Sequence, residues 1–156
     1  MRLTVAASWV EAPLKAFVDD GRVRLAILLH SSGQVLGQFG FARSVDVMTA
    51  CALAAATAAS SSELGRLIDG RPFNAMHYVG VTQQIFLAPV PIEGGKLVLL
   101  AVFDDDSSLG LVQLFFQEFC ATVKAVAPAA SAGEPALDAD FERELNRNLA
   151  VMFGRA

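Results

Sequence analysis

The sequence predicts a layered α/β domain in which helices cover both faces of antiparallel β-structure, in the order helix, two strands, long helix, three strands, helix, with a further helix at the C-terminus. Three observations predict it. Of the 156 residues, 54% are hydrophobic and 18% charged, the balance of a chain that buries a core. Apolar residues alternate between helical spacing and short continuous runs, with Gly, Pro, Asp and Ser clusters between them. One run, Leu97 to Phe103, has no polar residue and so requires cover on both faces.

The elements follow in order. Val10, Leu14, Phe17 and Val18 lie at helical spacing, Pro13 is tolerated only near a helix start, and Gly21 after Asp19 and Asp20 reads as the stop. Two starts are open: a capping box of Ser8 and Glu11, or a later start that leaves residues 3–7 as a separate extended piece. Val23 to Leu29 and Val35 to Phe41 flank the turn residues Ser31-Ser32-Gly33-Gln34 and predict a β-hairpin. Val45 to Ile68 is rich in alanine, lacks proline and has no interior glycine before Gly65, which predicts a long helix.

Apolar residues of that helix do not keep to one stripe. Val45, Met48, Ala52, Ala55 and Ala59 fall on one side, and Val47, Ala50, Ala54 and Ala58 on another. A helix apolar around most of its girth requires burial on two sides. In a chain of this size one side lies on a sheet and the other needs a second molecule. Met48, Ala52, Ala55 and Ala59 are therefore the expected dimer contact, small enough for two helices to approach closely.

Ala75 to Val79, Gln84 to Pro89 and Leu97 to Phe103 then form a meander, separated by Gly80-Val81-Thr82-Gln83 and by Glu93-Gly94-Gly95. Asp104-Asp105-Asp106 ends the last strand, and Ser107 or Ser108 caps a helix whose Leu109, Val112, Phe116, Phe119, Val123 and Val126 face the sheet. Residues 1–127 form the expected domain. Residues 128–137, bounded by Pro128 and containing Gly133 and Pro135, are the expected flexible linker, and residues 138–156 the expected amphipathic helix. Its stripe is Phe141, Leu145, Leu149, Met152 and Phe153.

Several functions are disfavoured by chemistry. A net charge of −4 and the absence of a Lys/Arg cluster argue against nucleic-acid binding, which draws its affinity from neutralised phosphates. Cys51 and Cys120 lie in apolar stretches and read as buried thiols of a reducing compartment, so the cytoplasm is expected. Leu3 to Ala7 is too short for a signal-peptide core, and no segment is expected to reach the ~18 apolar residues that span a bilayer. His30 and His77 lack a nucleophile partner, and Glu93-Gly94-Gly95-Lys96 lacks the first glycine and the Ser/Thr of a phosphate loop. The three aspartates lack the alternating ligands of a calcium loop. No catalytic residue, cofactor or metal is expected. What remains is contact with partners: Arg43, Arg66 and Arg71 as groups able to reach phosphates, and the tail stripe Phe141, Leu145, Leu149 and Met152. A small-molecule sensor would instead use Phe115, Phe119 and Tyr78 as a pocket lining.

The junction Phe103-Asp104 followed by Ser108-Leu109-Gly110-Leu111-Val112 resembles the Roadblock family of dynein-light-chain-like proteins, most of all its bacterial MglB-type polarity regulators. The alanine-rich helix running into Leu64-Gly65-Arg66-Leu67-Ile68 and the early Gly33 turn share the resemblance, which covers residues 12–126 and departs at His30 and Gln113. It implies one five-stranded antiparallel sheet between helices, and a homodimer in which the long second helices pair and the sheets join edge to edge. It further implies binding to a Ras-like small GTPase, as a regulator of GTP hydrolysis or as a scaffold in cell-polarity signalling. Such a regulator orders the switch loops of its partner through differential affinity. An arginine finger from Arg43, Arg66 or Arg71 would be its direct contribution, if it makes one.

Overall fold

Strand Leu97–Phe103, buried residue by residue, sits at the centre of a sheet whose neighbours pair with it on both sides. The computed structural model describes residues 4–5, 7–41 and 46–128. Arg43, the expected linker beyond Pro128 and the expected C-terminal helix with Phe141, Leu145, Leu149 and Met152 lie outside the described residues.

The elements are β1 (Thr4–Val5), α1 (Glu11–Gly21), β2 (Leu25–His30), β3 (Val35–Gly40), α2 (Val47–Asp69), β4 (Met76–Val79), β5 (Gln84–Ile92), β6 (Gly95–Phe103) and α3 (Leu109–Val126). All pairings are antiparallel, in the order β1-β3-β2-β6-β5-β4, with Leu28 opposite Leu99 and Phe86 opposite Ala101. The expected five-stranded sheet is present. A two-residue strand extends it, because Thr4 and Val5 pair with Gln38 and Gly37 along the free edge of β3. Of the two helix starts left open, the later one is adopted, with Thr4–Val5 as a separate extended piece.

Alternation along β2, β5 and β6 sends side chains to two separate cores. Ala26, Leu28, Phe86, Leu99, Ala101 and Phe103 pack with Leu14 and Phe17 of α1 and with Val112, Phe119 and Val123 of α3. Leu25, Ile27, Leu29, Leu87, Leu100 and Val102 point the other way and meet Cys51, Ala54 and Ala55 of α2. Two helices thus cover one face and the alanine-rich helix the other.

The helix ends differ in part from expectation. A single 3₁₀ turn, Ser8–Val10, precedes α1, and neither Ser8 nor any other side chain caps it. At the far end Gly21 is the last helical residue and is buried. The left-handed residue that ends the helix is Arg22 (φ 52°, ψ 40°), whose N–H donates to the Val18 carbonyl. Asp46 caps α2 by accepting from the Thr49 N–H and hydroxyl, which also hold its carboxyl below the usual range. Gly70, at φ 70°, ends α2. Ser108 caps α3 through the Leu111 N–H, while Ser107 donates instead to the Gly21 carbonyl.

By length and composition α3, with a mean hydropathy of 1.3, is long and apolar enough to cross a membrane, which corrects the expectation that no segment comes close. It lies on the sheet with Val112, Phe119 and Val123 buried and Gln113, Gln117 and Glu118 outward, the arrangement of a layer helix in an α/β domain.

Strand β5 runs to Ile92, beyond the expected end at Pro89. Pro89 and Pro91 are accommodated because β4 pairs only with Gln84 to Leu87, so the outer side of β5 past Ala88 is an open edge where a missing N–H breaks no ladder bond. Two glycines make contrasting predictions. At Gly40 (φ 97°) a Cβ would lie 2.3 Å from the Arg24 carbonyl oxygen, whereas at Gly110 of α3 nothing lies within 4 Å. Gly40→Ala is expected to destabilise by at least about 2 kcal/mol. Gly110→Ala should stabilise by about 0.5 to 1 kcal/mol. Urea denaturation of the two variants checks both signs.

Candidate interaction surface

Among the described residues, the outer face of α2 is an apolar surface that the fold leaves uncovered. Its sheet side is made of small residues: Cys51, Ala54, Ala55 and Gly65 are buried. Gly65 is required there, since a Cβ would lie 2.6 Å from the Phe73 nitrogen and 2.7 Å from the Arg71 carbonyl oxygen, where the following loop crosses the helix. Opposite, Met48 (82%), Leu53 (63%), Leu67 (83%) and Ile68 (68%) are exposed, with Leu64 half-exposed among them. Exposed large side chains scattered singly need no explanation, but Leu64, Leu67 and Ile68 stand together on the last turns of α2, with Leu53 three turns earlier on the same side.

Beside this helix runs a groove of about 620 Å³. One wall is α2, through Ala55, Ala58, Ala59, Ser62 and Arg66, and the floor is the open half of β5 with Val98 of β6. Phe73 and Met76 close one end. The groove exists because β4 is short and leaves that part of the sheet without a neighbour on the α2 side.

The expected dimer residues divide between these features. Met48, Ala52 and Ala59 are exposed, Ala59 on the groove wall. Ala55 is 8% exposed and packs with the core of its own sheet, so its main contact is intramolecular and not with a second copy. The sheet-facing arc of α2 reaches one position further around the helix than the alternating stripes suggested. Arg66 stands on the groove wall, where its guanidinium pairs with Glu63 and its carbonyl accepts the capping Gly70 N–H. Arg71 is exposed in the loop that crosses Gly65. The structure brings both arginines to the C-terminal end of α2.

Other singled-out residues are accounted for locally. His30 Nδ1 accepts the Ser32 N–H at 3.2 Å and lies 3.0 Å from its hydroxyl, shaping the β2–β3 turn. His77 lies 2.7 Å from Gln84 across the β4–β5 pair and stacks on Phe103, with centroids 5.9 Å apart. The expected pocket of Phe115, Phe119 and Tyr78 does not form. Phe115 and Phe119 pack in the α1–α3 core, whereas Tyr78 donates to Met76 Sδ at 3.6 Å, and Met76 belongs to the α2 side. The sheet lies between them. Among the described residues no group of three His, Cys, Asp or Glu side chains is placed to hold a metal ion.

One cluster was not legible at all. Arg24 Nε reaches Asp104 at 2.6 Å and its Nη2 reaches Asp106 at 2.6 Å, while the Asp106 N–H donates to Asp104. These contacts hold the Asp104 carboxyl below the usual carboxylate range, the Asp106 N–H first and Arg24 next. The single guanidinium of Arg24, just before β2, thus offsets part of the acidic turn, across eighty positions of sequence.

No protein-family model matches the sequence, and no curated protein matches it. Solved structures do. Helices on both faces of an antiparallel sheet, with a long second helix whose outer side is uncovered, define a Roadblock-type fold, and a Roadblock/LC7 domain from Streptomyces avermitilis superposes with a TM-score of 0.63 at 16% identity, over 73% of this chain and 93% of that one. More narrowly, the fold is MglB-like. Myxococcus xanthus MglB matches at a TM-score of 0.70 and 22% identity, over 78% of this chain and 96% of that one. A structure described as MglB with a tetrameric arrangement matches at 0.69 and 21%, over 80% and 94%. At such identities the likeness is one of fold.

The two thiols are free and lie on opposite sides of the sheet, Cys51 beneath α2 and Cys120 on α3. Burial raises both, Cys120 to about 11. A raised pKa leaves less thiolate at neutral pH. At pH 8 a thiol of pKa 11 holds roughly two hundredfold less thiolate than a free cysteine of pKa ~8.5. Native Cys120 should therefore react with an aromatic disulfide reagent at least tenfold more slowly than the same protein in urea, as followed by absorbance.

Proposed function

We propose that this chain is a self-associating Roadblock-like module of the cytoplasm that binds a Ras-like small GTPase and regulates its GTP hydrolysis, without an active site of its own. The observation that carries the reading is α2, packed on the sheet by one side while Met48, Leu53, Leu67 and Ile68 stand 63% to 83% exposed on the other. In a lone molecule that patch remains in water. A second α2 related by two-fold symmetry, packed across that outer face where Ala52, Ala56 and Ala59 are also exposed, would remove it from water on both copies at once. Small side chains there permit close approach of the helix axes. The tetrameric MglB of similar fold supports assembly as a property compatible with this architecture.

The GTPase half of the proposal is supported by the Ser108-Leu109-Gly110-Leu111-Val112 junction and by the MglB-like fold. A paired platform regulates such a partner by binding one arrangement of its switch loops more tightly than the other, so that residues of the GTPase itself are brought into position. Arg66, Arg71 and Arg43 are the basic groups available to meet phosphates or acidic side chains, and the stripe Phe141, Leu145, Leu149 and Met152 is a further contact element. A scaffold that binds without altering turnover is the second reading. It is favoured by the engagement of Arg66 with Glu63, which a finger role would have to break.

Ala59 tests the assembly. It is exposed in the single chain, so Ala59→Arg leaves folding intact but buries an unpaired charge in the contact. The variant is expected to scatter light as a monomer at micromolar concentration where the wild type scatters as a dimer or larger. Monomeric wild type would remove the pairing. Turnover tests the rest: with a Ras-like GTPase encoded beside this chain, phosphate release should rise at least about tenfold, equivalent to ~1.4 kcal/mol of barrier. Binding with unchanged release selects the scaffold, and no binding in either nucleotide state rejects both.

A further inference from the structure

On the sheet face opposite α2, a hollow of about 180 Å³ opens between α1 and α3. Exposed Ala12 and Ala16 form one wall, half-buried Phe115 the other, and the nearly buried rings of Phe17 and Phe119, with centroids 5.7 Å apart, form the floor. A cavity of ~150 Å³ admits a benzene ring, so the hollow has room for the planar end of one side chain. Its charged groups are Asp20 and Glu118, one from each helix and both exposed.

The two helices run antiparallel, which is why both carboxylates reach one hollow. A Cβ on Gly21, at the end of α1, would meet Phe115 near the start of α3 at 3.8 Å, and Phe17 meets Phe119 one turn further on. Neither carboxylate has a cation of its own. Among the described residues Asp20 and Glu118 form no ion pair, and Lys15, the lysine of α1, is engaged by Asp19 at 2.6 Å. Thr122, also at the hollow, turns its hydroxyl to the Glu118 carbonyl within the helix. Together α1 and α3 carry four carboxylates and two lysines, so the charge of this face is acidic.

Aromatic rings below and two unpaired carboxylates at the rim narrow the chemistry of an occupant. A purely apolar side chain would fill the volume but cover the carboxylates without giving them a hydrogen bond, which is costly. A hard metal ion needs oxygens where the rings stand, and among the described residues no three His, Cys, Asp or Glu side chains are placed to hold one. A guanidinium meets both demands, because its plane stacks on aromatic faces while its edge donates to carboxylates, and its methylene stem lies well on alanine. An ammonium supplies the charge without the plane.

We propose that the α1–α3 hollow receives an arginine side chain of a partner protein, its stem along Ala12 and Ala16, its guanidinium over Phe17 and Phe119, and its N–H groups donating to Asp20 and Glu118. Residues flanking that arginine are neutral or basic, since Glu11 and Asp19 adjoin the hollow along α1. The sheet separates this site from α2, so it stays open whether or not α2 is covered, and it stands independently of a GTPase as the partner.

The test is amide NMR of the full-length chain, titrated with acetyl-arginine-amide at constant ionic strength. Amides of residues 12–20 and 115–122 are expected to shift saturably with a Kd of millimolar order, while those of β4 and α2 stay in place. The citrulline analogue, of the same shape without the charge, should bind at least about tenfold more weakly. Asp20→Asn/Glu118→Gln changes two exposed groups and leaves the core untouched, and it should abolish the saturable shifts; Ala16→Phe should do the same by filling the hollow. Citrulline or acetyl-phenylalanine-amide binding as tightly as arginine overturns the proposal, and so does a double variant that still binds. Arginine shifts that fail to saturate, or that centre on Asp104 or on the α2 groove, overturn it as well. So do hollow amides that move on dilution of the wild type without any probe, since a second copy would then be the occupant.

Discussion

A strand with apolar side chains on both faces cannot face water on either, and β6, from Leu97 to Phe103, imposes that condition on the whole molecule. Both of its faces must be covered, and the chain covers them unequally. On one side α1 and α3 contribute Leu14, Phe17, Val112, Phe119 and Val123, large side chains that fill the space above the sheet. On the other, α2 contributes Cys51, Ala54 and Ala55. A buried methyl or methylene is worth about 0.8 kcal/mol, so this contact is small beside the ordering of the backbone it accompanies, about 1 to 2 kcal/mol per residue. Alanine's helix propensity offsets part of the difference. The second layer is thus the weakly anchored one, and any molecule that covers its outer face stabilises the fold as well as the assembly.

The junction that carries the family resemblance is, in this structure, a device for joining sheet to helix. Asp104 ends β6 and is held by Arg24 of the strand edge, Ser107 ties the turn to the end of α1, and Ser108 caps α3. Each member satisfies a polar group that the abrupt change from strand to helix would leave unpaired. Ordinary physical chemistry of a strand-to-helix turn explains these residue types without a ligand. The functional surface therefore has to be sought elsewhere, on faces whose apolar residues have no partner within the chain.

The sequence made legible whatever depends on neighbours along the chain. Hydrophobic periodicity located α2, α3 and the meander, and unbroken apolarity put Leu97 to Phe103 at the centre. Contacts between distant segments were not legible. Nothing near Arg24 signals that two aspartates eighty positions away will neutralise it, and nothing near Thr4 signals the β3 edge that it joins. Arg22 ends α1 in a conformation that residue type assigns to Gly21, because the chain turns one residue later than the glycine suggests. For the candidate surface, periodicity recognised that α2 is apolar on two sides but placed the dividing line one position away, so Ala55 fell with the outer residues. The aromatic pocket failed for a related reason: Tyr78 and Phe115 are both near-surface aromatics, and only the alternation of β4 decides that the sheet separates them.

That separation matters for how contacts on the two faces relate. The α2 patch and the α1–α3 helix pair lie on opposite faces of one sheet, so molecules bound at the two can be present together without steric competition. Linkage between them must pass through the sheet or through a partner that touches both. The sheet is a poor conduit, because its central strands pack on both faces and have one arrangement, whereas coupling requires an element with two. A partner is the better one. A molecule that grips the outer face of α2 and also reaches α1 or α3 gains the second contact as an intramolecular step. Its binding free energy would then be divided between two faces that the sheet keeps apart, and a substitution on the α1–α3 side would tune the affinity without touching the packing of α2 on the sheet.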